Sequence, residues 1–211
     1  LCLGEWTNQL EEAQDFTCYT RVLKEGIGKN ASLPQDLDDL CRKEIQKVFP
    51  RFFDKPFVTI LLRKKGFEGK FSDSSRCAGP HKNYRDAVKL LIKEGYHVVG
   101  IMETEHEAFS DIEGYFPMSL IEQKSSILDK KLLSVFFLIK CSLFIGQQSG
   151  PYSLPVHSGI PCLICDASSY RATTYDPHNL IIFKHYVVEE TGKRLSDVEI
   201  YTKHQELAFG Y

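Results

Sequence analysis

From residue 57 to residue 62 the chain runs Phe-Val-Thr-Ile-Leu-Leu, an almost unbroken apolar stretch that predicts a strand buried on both faces. Similar stretches at residues 97–102, 141–145, 160–165 and 179–183 predict further strands, and residues 118–121 read as another short one. Between them the apolar positions fall at helical spacing. Residues 83–94, with Ala87, Val88, Leu90, Leu91 and Ile92, predict a helix that Gly95 closes; residues 128–140 predict a second, 152–157 a short third and 195–205 a terminal one. This repeated strand-loop-helix order predicts an α/β protein whose parallel strands are joined by right-handed crossovers.

The first fifty residues differ. They are polar up to Asn30, and then Leu37, Leu40, Cys41, Ile45 and Val48 recur at helical spacing, with Ser32 as a cap, Pro34 in the first turn and Pro50 as the stop. A weaker helical pattern covers residues 6–23. Residues 1–50 therefore read as a helical lead-in that packs on a main domain of residues 51–211.

Composition narrows the function classes. With 43% apolar and 26% charged residues, 211 residues suffice for one sizeable core. A net charge of -2 speaks against a nucleic-acid binder, which needs bulk positive charge to neutralise phosphates. Ser134, Lys140 and Ser142 interrupt the longest apolar region, so no membrane span is expected. The seven cysteines are odd in number and scattered, which points to the cytoplasm or another reducing compartment. The chain opens at Leu1 without the charge order of a signal peptide and reads as an excised fragment.

The chemistry concentrates after the predicted strand at 141–145, where Gly146, Gln147, Gln148, Ser149, Gly150 and Pro151 follow. In a parallel sheet, ligands bind beyond the carboxyl ends of strands, where exposed N–H groups at helix starts favour anions. The two glycines admit close backbone approach, Gln147, Gln148 and Ser149 offer neutral hydrogen-bonding groups, and Pro151 presets a helical φ. Such a loop can cradle a diphosphate; it can also be a plain strand-to-helix turn. Arg63 closes the first strand, where a guanidinium reaches phosphate in two-pronged fashion, with Lys64, Lys65 and Lys70 near it. Glu103 and Glu105 follow the second strand and Asp166 a later one; each is a candidate base or ribose ligand. Cys162 and Cys165 have zinc or redox spacing, but without a second pair they read as buried small side chains on opposite strand faces. The histidines show no ligand spacing, so no metal is expected; His157, just past the loop, is the one closest to the chemistry.

The segment Phe144-Ile145-Gly146-x-x-Ser149-Gly150-Pro151, followed by Leu154, Gly159 and Pro161, resembles the donor block of GT-B glycosyltransferases. It is most similar to that of heptosyltransferases, F-I-G-x-x-S-G-P, then L, then G-x-P. A second resemblance is to bacterial surface-polysaccharide glycosyltransferases. There an H-V-R strand end, a glycine-containing loop and an R-N-x-x-x-x-Y segment precede a C-x-F-F-I-G-T-x-S-G-L block; here Leu62-Arg63, Gly66, Gly69, Arg76, Tyr84 and Cys141 to Gly146 stand in those places. The resemblance spans roughly residues 56–200. It implies a Rossmann-like parallel sheet flanked by helices, one half of a GT-B fold, binding a nucleotide-sugar donor through Arg63 and the 146–151 loop for transfer to an acceptor. It also implies that the second, acceptor-binding Rossmann half is absent from this chain or replaced by something in residues 1–50, and that no metal cofactor is needed. Three departures bear on catalysis more than on binding: Leu61 replaces the family's His, Gln148 replaces a small polar residue, and residues 100–103 lack an expected arginine. A catalytically degenerate nucleotide-binding or scaffold domain is therefore the alternative, and an epimerase or hydrolase of the same architecture a third reading.

Overall fold

The computed structural model describes residues 32–64, 77–102, 104–167, 179–196 and 198–200. Six strands among these residues form one sheet: β1 (Phe57–Leu61), β2 (His97–Gly100), β3 (Tyr115–Pro117), β4 (Leu143–Gly146), β5 (Cys162–Ala167) and β6 (Leu180–Phe183). Their spatial order is β3-β2-β1-β4-β5-β6, and every pairing is parallel. This is the Rossmann order, in which the chain winds outward from β1 in one direction and then, starting at β4, in the other. The switch point therefore lies between the carboxyl ends of β1 and β4, where Leu61 is in register with Gly146.

Helices cover both faces, as β1 requires, since all five of its residues are buried. Phe57 and Leu61 join the larger core on one side, while Val58 and Ile60 enter two smaller clusters on the other. Thr59, the polar residue of the run, is satisfied by donating its hydroxyl to the carbonyl of Phe137 at 2.7 Å. The larger core takes side chains from α1 (Gln35–Val48), α3 (Met118–Lys124), α4 (Lys130–Lys140) and α5 (Ser153–His157). The other face is covered by α2 (Arg85–Lys93), which buries Val88 and is closed by Gly95 at φ 91°, the left-handed cap its sequence predicts.

The lead-in helix α1 is part of this core: Cys41 and Ile45 have no exposed surface. Its inner face also carries two buried acids. Asp38 is 2.7 Å from Arg42 and 2.8 Å from Lys140 of α4, and Glu44 accepts the Ser125 hydroxyl at 2.9 Å and pairs with Lys47. Burial alone would raise the Asp38 pKa, but hydrogen bonds from Lys140 and Arg42 outweigh it and hold the carboxyl below its usual range.

Two local expectations are corrected. Residues 118–121 are helical, and the third strand is Tyr115–Pro117 just before them. Met118 and Ile121, three apart, both face the core as in a helix, and Pro117 sits at its N-cap in an extended conformation. Ser32 does not cap α1, whose N-cap is Pro34 without a side-chain hydrogen bond. The predicted helix at 6–23 lies outside the described residues, as does most of that at 195–205, of which Val198, Glu199 and Ile200 are helical.

Candidate functional site

The carboxyl ends of β1 and β4 meet at the switch point, with that of β5 beside β4, and of the sequence candidates Arg63, the 146–151 loop and Asp166 lie there. Gly146 ends β4 with no room for a side chain: a Cβ would lie 2.7 Å from Phe144 Cζ and 2.9 Å from the Leu61 carbonyl oxygen. Its glycine thus serves the packing of β4 against β1. Gln147, Gln148 and Ser149 follow, all buried, and then a 3-10 turn (Gly150–Tyr152) with Pro151 in its first positions leads into α5. Gly150 is different from Gly146, since a Cβ there would meet nothing within 4 Å. Ser149 is 8% exposed, and its Oγ is buried without a hydrogen-bond partner. A native structure seldom leaves such an atom unused unless water or a ligand completes it.

Arg63 lies two residues beyond β1 and is 9% exposed. Its backbone N–H donates to Gln147 Oε1 at 2.8 Å, so the two predicted halves of the site are bonded across the switch point. Gln147 Nε2 donates to Tyr84 Oη at 3.3 Å, and Tyr84 donates to Asp166 Oδ2 at 2.5 Å. The same carboxylate oxygen accepts Gly79 N–H at 3.0 Å. Burial, with the Asp166 carboxylate adding to it, pushes the Tyr84 phenol far above its ordinary pKa, so this hydroxyl remains a donor. Asp166 itself sits at φ 52°, at an irregularity in the β5–β6 ladder, and Met102 after β2 has φ 53°. These are the two described non-glycine residues in the left-handed region, and both are at carboxyl ends of strands, where such strain is characteristic of ligand sites.

Other candidates are less central. The Glu105 carboxylate, 38% exposed, pairs with Lys64 at 3.2 Å, so these two charges engage each other. Glu105 N–H donates to Nδ1 of the buried His81 at 2.9 Å; that nitrogen is then an acceptor, the imidazole carries its proton on Nε2, and its 3.7 Å approach to Glu105 Oε2 is no ion pair. Cys162 and Cys165 are buried in different core clusters, as opposite strand faces require. Burial, reinforced by Asp166, raises the Cys165 thiol to about 11. His157 ends α5, half-buried. Glu103, Lys65, Lys70, Gly66, Gly69 and Arg76 lie outside the described residues. Sequence reasoning missed Gly79, His81 and the bond from Tyr84 to Asp166; the one signal was a Gly-Pro pair just ahead of a helix start.

A cleft of about 650 Å³ lies at the opposite edge, lined by Phe49, Phe52, His97 and Phe116 near the amino ends of β2 and β3. His97 Nδ1 donates to the Phe52 carbonyl at 2.8 Å. This cleft is remote from the strand ends described above. No helix among the described residues is long and apolar enough to cross a membrane, and no group of three or more metal-ligating side chains occurs among them.

No known protein-family profile matches the sequence, and no curated protein matches it either. Solved structures do. A family 9 glycosyl transferase from Veillonella parvula DSM 2008 superposes with a TM-score of 0.54 at 10% identity, over 85% of this chain and 53% of its own. The ADP-heptose LPS heptosyltransferase II of E. coli gives 0.51 at 14% identity, again over 85% and 53%. The chain thus spans about half the length of these proteins, and over that half its Rossmann-like sheet has the fold of a GT-B-like glycosyltransferase.

Proposed function

We propose that the crevice between β1 and β4 binds the diphosphate of a nucleotide-sugar and that the chain is the donor-binding part of a glycosyltransferase. The observation that carries this reading is the orphaned Ser149 Oγ, buried beside the side-chain-free space at Gly150. A phosphate oxygen would give that hydroxyl its partner, and the backbone at Gly150 permits the approach. Arg63 would hold the diphosphate from the β1 side. In transfer, the bond from the anomeric carbon to the diphosphate oxygen breaks as a bond to an acceptor oxygen forms. Charge gathers on the departing diphosphate, and Arg63 with the loop N–H groups would stabilise it in the role a metal ion plays elsewhere.

Glu105 and Asp166 are already engaged by Lys64 and by Tyr84 with Gly79, so the base that deprotonates the acceptor is assigned to another segment. A second half, like the remainder of the structural neighbours, would bring the acceptor. The buried free thiols of Cys41, Cys141 and Cys165 support a reducing compartment. One observation favours the alternative of binding without turnover. Leu61, where the resembled family has His, is 2% exposed and packed in the larger core.

The test is thermal stability of the chain with UDP, GDP, ADP, CMP and their sugars. A ligand at a hundred times its Kd stabilises by about 2.7 kcal/mol, which for a domain of this size is about 5–11 °C in Tm. One nucleotide class should produce the shift, and Arg63→Ala and Ser149→Ala should abolish it. No shift with any of them in well-folded protein rejects the donor-site reading.

A further inference from the structure

Among the described residues, 77–84, immediately ahead of α2, bond to the segments that follow β1, β2, β4 and β6 and to the carboxyl-terminal part of β5. Ala78 N–H donates to the Arg63 carbonyl after β1 at 3.0 Å. His81 Nδ1 accepts Glu105 N–H after β2, and Tyr84 Oη accepts from Gln147 after β4. Gly79 and Tyr84 both donate to Asp166 near the end of β5, and Lys184, next after β6, donates its ammonium to the Cys77 carbonyl at 2.7 Å. One short segment thus spans the carboxyl edge of the sheet beside the switch point.

Its central chain has a fixed direction. Arg63 N–H gives to Gln147 Oε1, Gln147 Nε2–H to Tyr84 Oη, and Tyr84 O–H to Asp166 Oδ2. A carboxylate can only accept and a backbone amide can only donate, so the amide of Gln147 and the hydroxyl of Tyr84 have one consistent orientation each. Asp166 is held in a left-handed conformation for a non-glycine residue, and its two hydrogen bonds offset the cost.

We infer that Tyr84 and Asp166 are positioning residues, a strut that fixes Gln147 and the Arg63 backbone and so preorganises the crevice for its anionic ligand. Asp166 acts as a hydrogen-bond acceptor in this role and not as a proton-transferring base. The strut is a property of the protein alone; its effect on ligand rests on the donor-site reading.

Hydrogen exchange on the ligand-free full chain and nucleotide affinity test it together. In Tyr84→Phe, which keeps the ring but removes the hydroxyl, Gln147 loses its acceptor, and exchange of the Arg63 amide should speed up about tenfold while those of Thr59 and Ile60 do not change. Affinity for the nucleotide diphosphate that stabilises wild type should fall about three- to tenfold, the range of one hydrogen bond. Asp166→Asn retains an acceptor oxygen and tolerance of the left-handed backbone, so it should exchange and bind like wild type. Leu133→Ala, a core truncation in α4, should lower Tm with affinity unchanged, which separates positioning from general stability. Unchanged Arg63 exchange in Tyr84→Phe overturns the strut, as does an affinity loss no larger than that of Leu133→Ala. If wild type binds no nucleotide, the donor-site reading falls, and the exchange data still decide the strut.

Discussion

Gly146 and Gly150 look equivalent in the sequence, yet the structure assigns them opposite burdens. Replacing Gly146 by Ala would put a methyl 2.7 Å from Phe144 Cζ, 2.9 Å from the Leu61 carbonyl oxygen and 3.0 Å from Phe144 Cε1. Phe144 has no exposed surface, and the Leu61 carbonyl belongs to the central strand, so neither can step aside without parting β1 from β4. Overpacking of this kind costs about 1–3 kcal/mol, which corresponds to a fall of about 2–12 °C in Tm. Gly150→Ala meets nothing within 4 Å and has no left-handed φ, so it should keep or slightly raise stability, by up to about 1 kcal/mol through the unfolded chain. Its methyl would instead occupy the space proposed for diphosphate. Thermal denaturation of both variants, followed by nucleotide titration of the stable one, separates the two roles. The reasoning is refuted if Gly146→Ala melts within 1 °C of wild type, or if Gly150→Ala proves the more destabilised.

The acids under α1 make stability pH-dependent. Glu44 is held below its usual range first by Lys47 and then by Ser125, and Asp38 is lowered as well, so their stabilisation is complete above about pH 4.3 and is lost as pH falls through the lowered values. Urea midpoints at pH 6 and pH 3 should therefore diverge less in Glu44→Gln than in wild type, and equal divergence would contradict the assignment. Phe52, fully buried against Phe53, Phe57, Phe116 and Phe137, should cost about 3–5 kcal/mol when cut to Ala, read from the denaturation midpoint. Burial raises Cys41 and Cys141, like Cys165, to about 11. Mass-spectrometric mapping after alkylation at pH 8 should find these three unmodified in native protein and modified in denaturant; rapid native labelling would count against the packing.

The strands were legible because burial on both faces leaves an apolar run with little polar interruption, as in Phe57–Leu61. Elements that bury one face were legible through spacing, as in α2. The third strand was misplaced because Tyr115–Pro117 is too short to form a run, and the helix that follows it is itself apolar. At the site, the 146–151 loop and Arg63 were readable from residue type and position after a strand. Asp166 was singled out, but its partners Tyr84 and Gly79 lie 82 and 87 residues away along the chain. No local pattern encodes such a pairing, because closure of the sheet creates it.

The strand order also has a kinetic consequence. β1 is central, yet its register with β4 joins Val58 to Leu143, 85 residues later. At synthesis rates of about 5–20 residues per second, β1 waits roughly 4–17 s for that neighbour. Throughout, Phe-Val-Thr-Ile-Leu is an uncharged, aggregation-prone segment with an open edge. Folding of this chain is thus a race between late closure at β4 and edge-to-edge association, one that slower synthesis lengthens and a chaperone bound to residues 57–61 would decide.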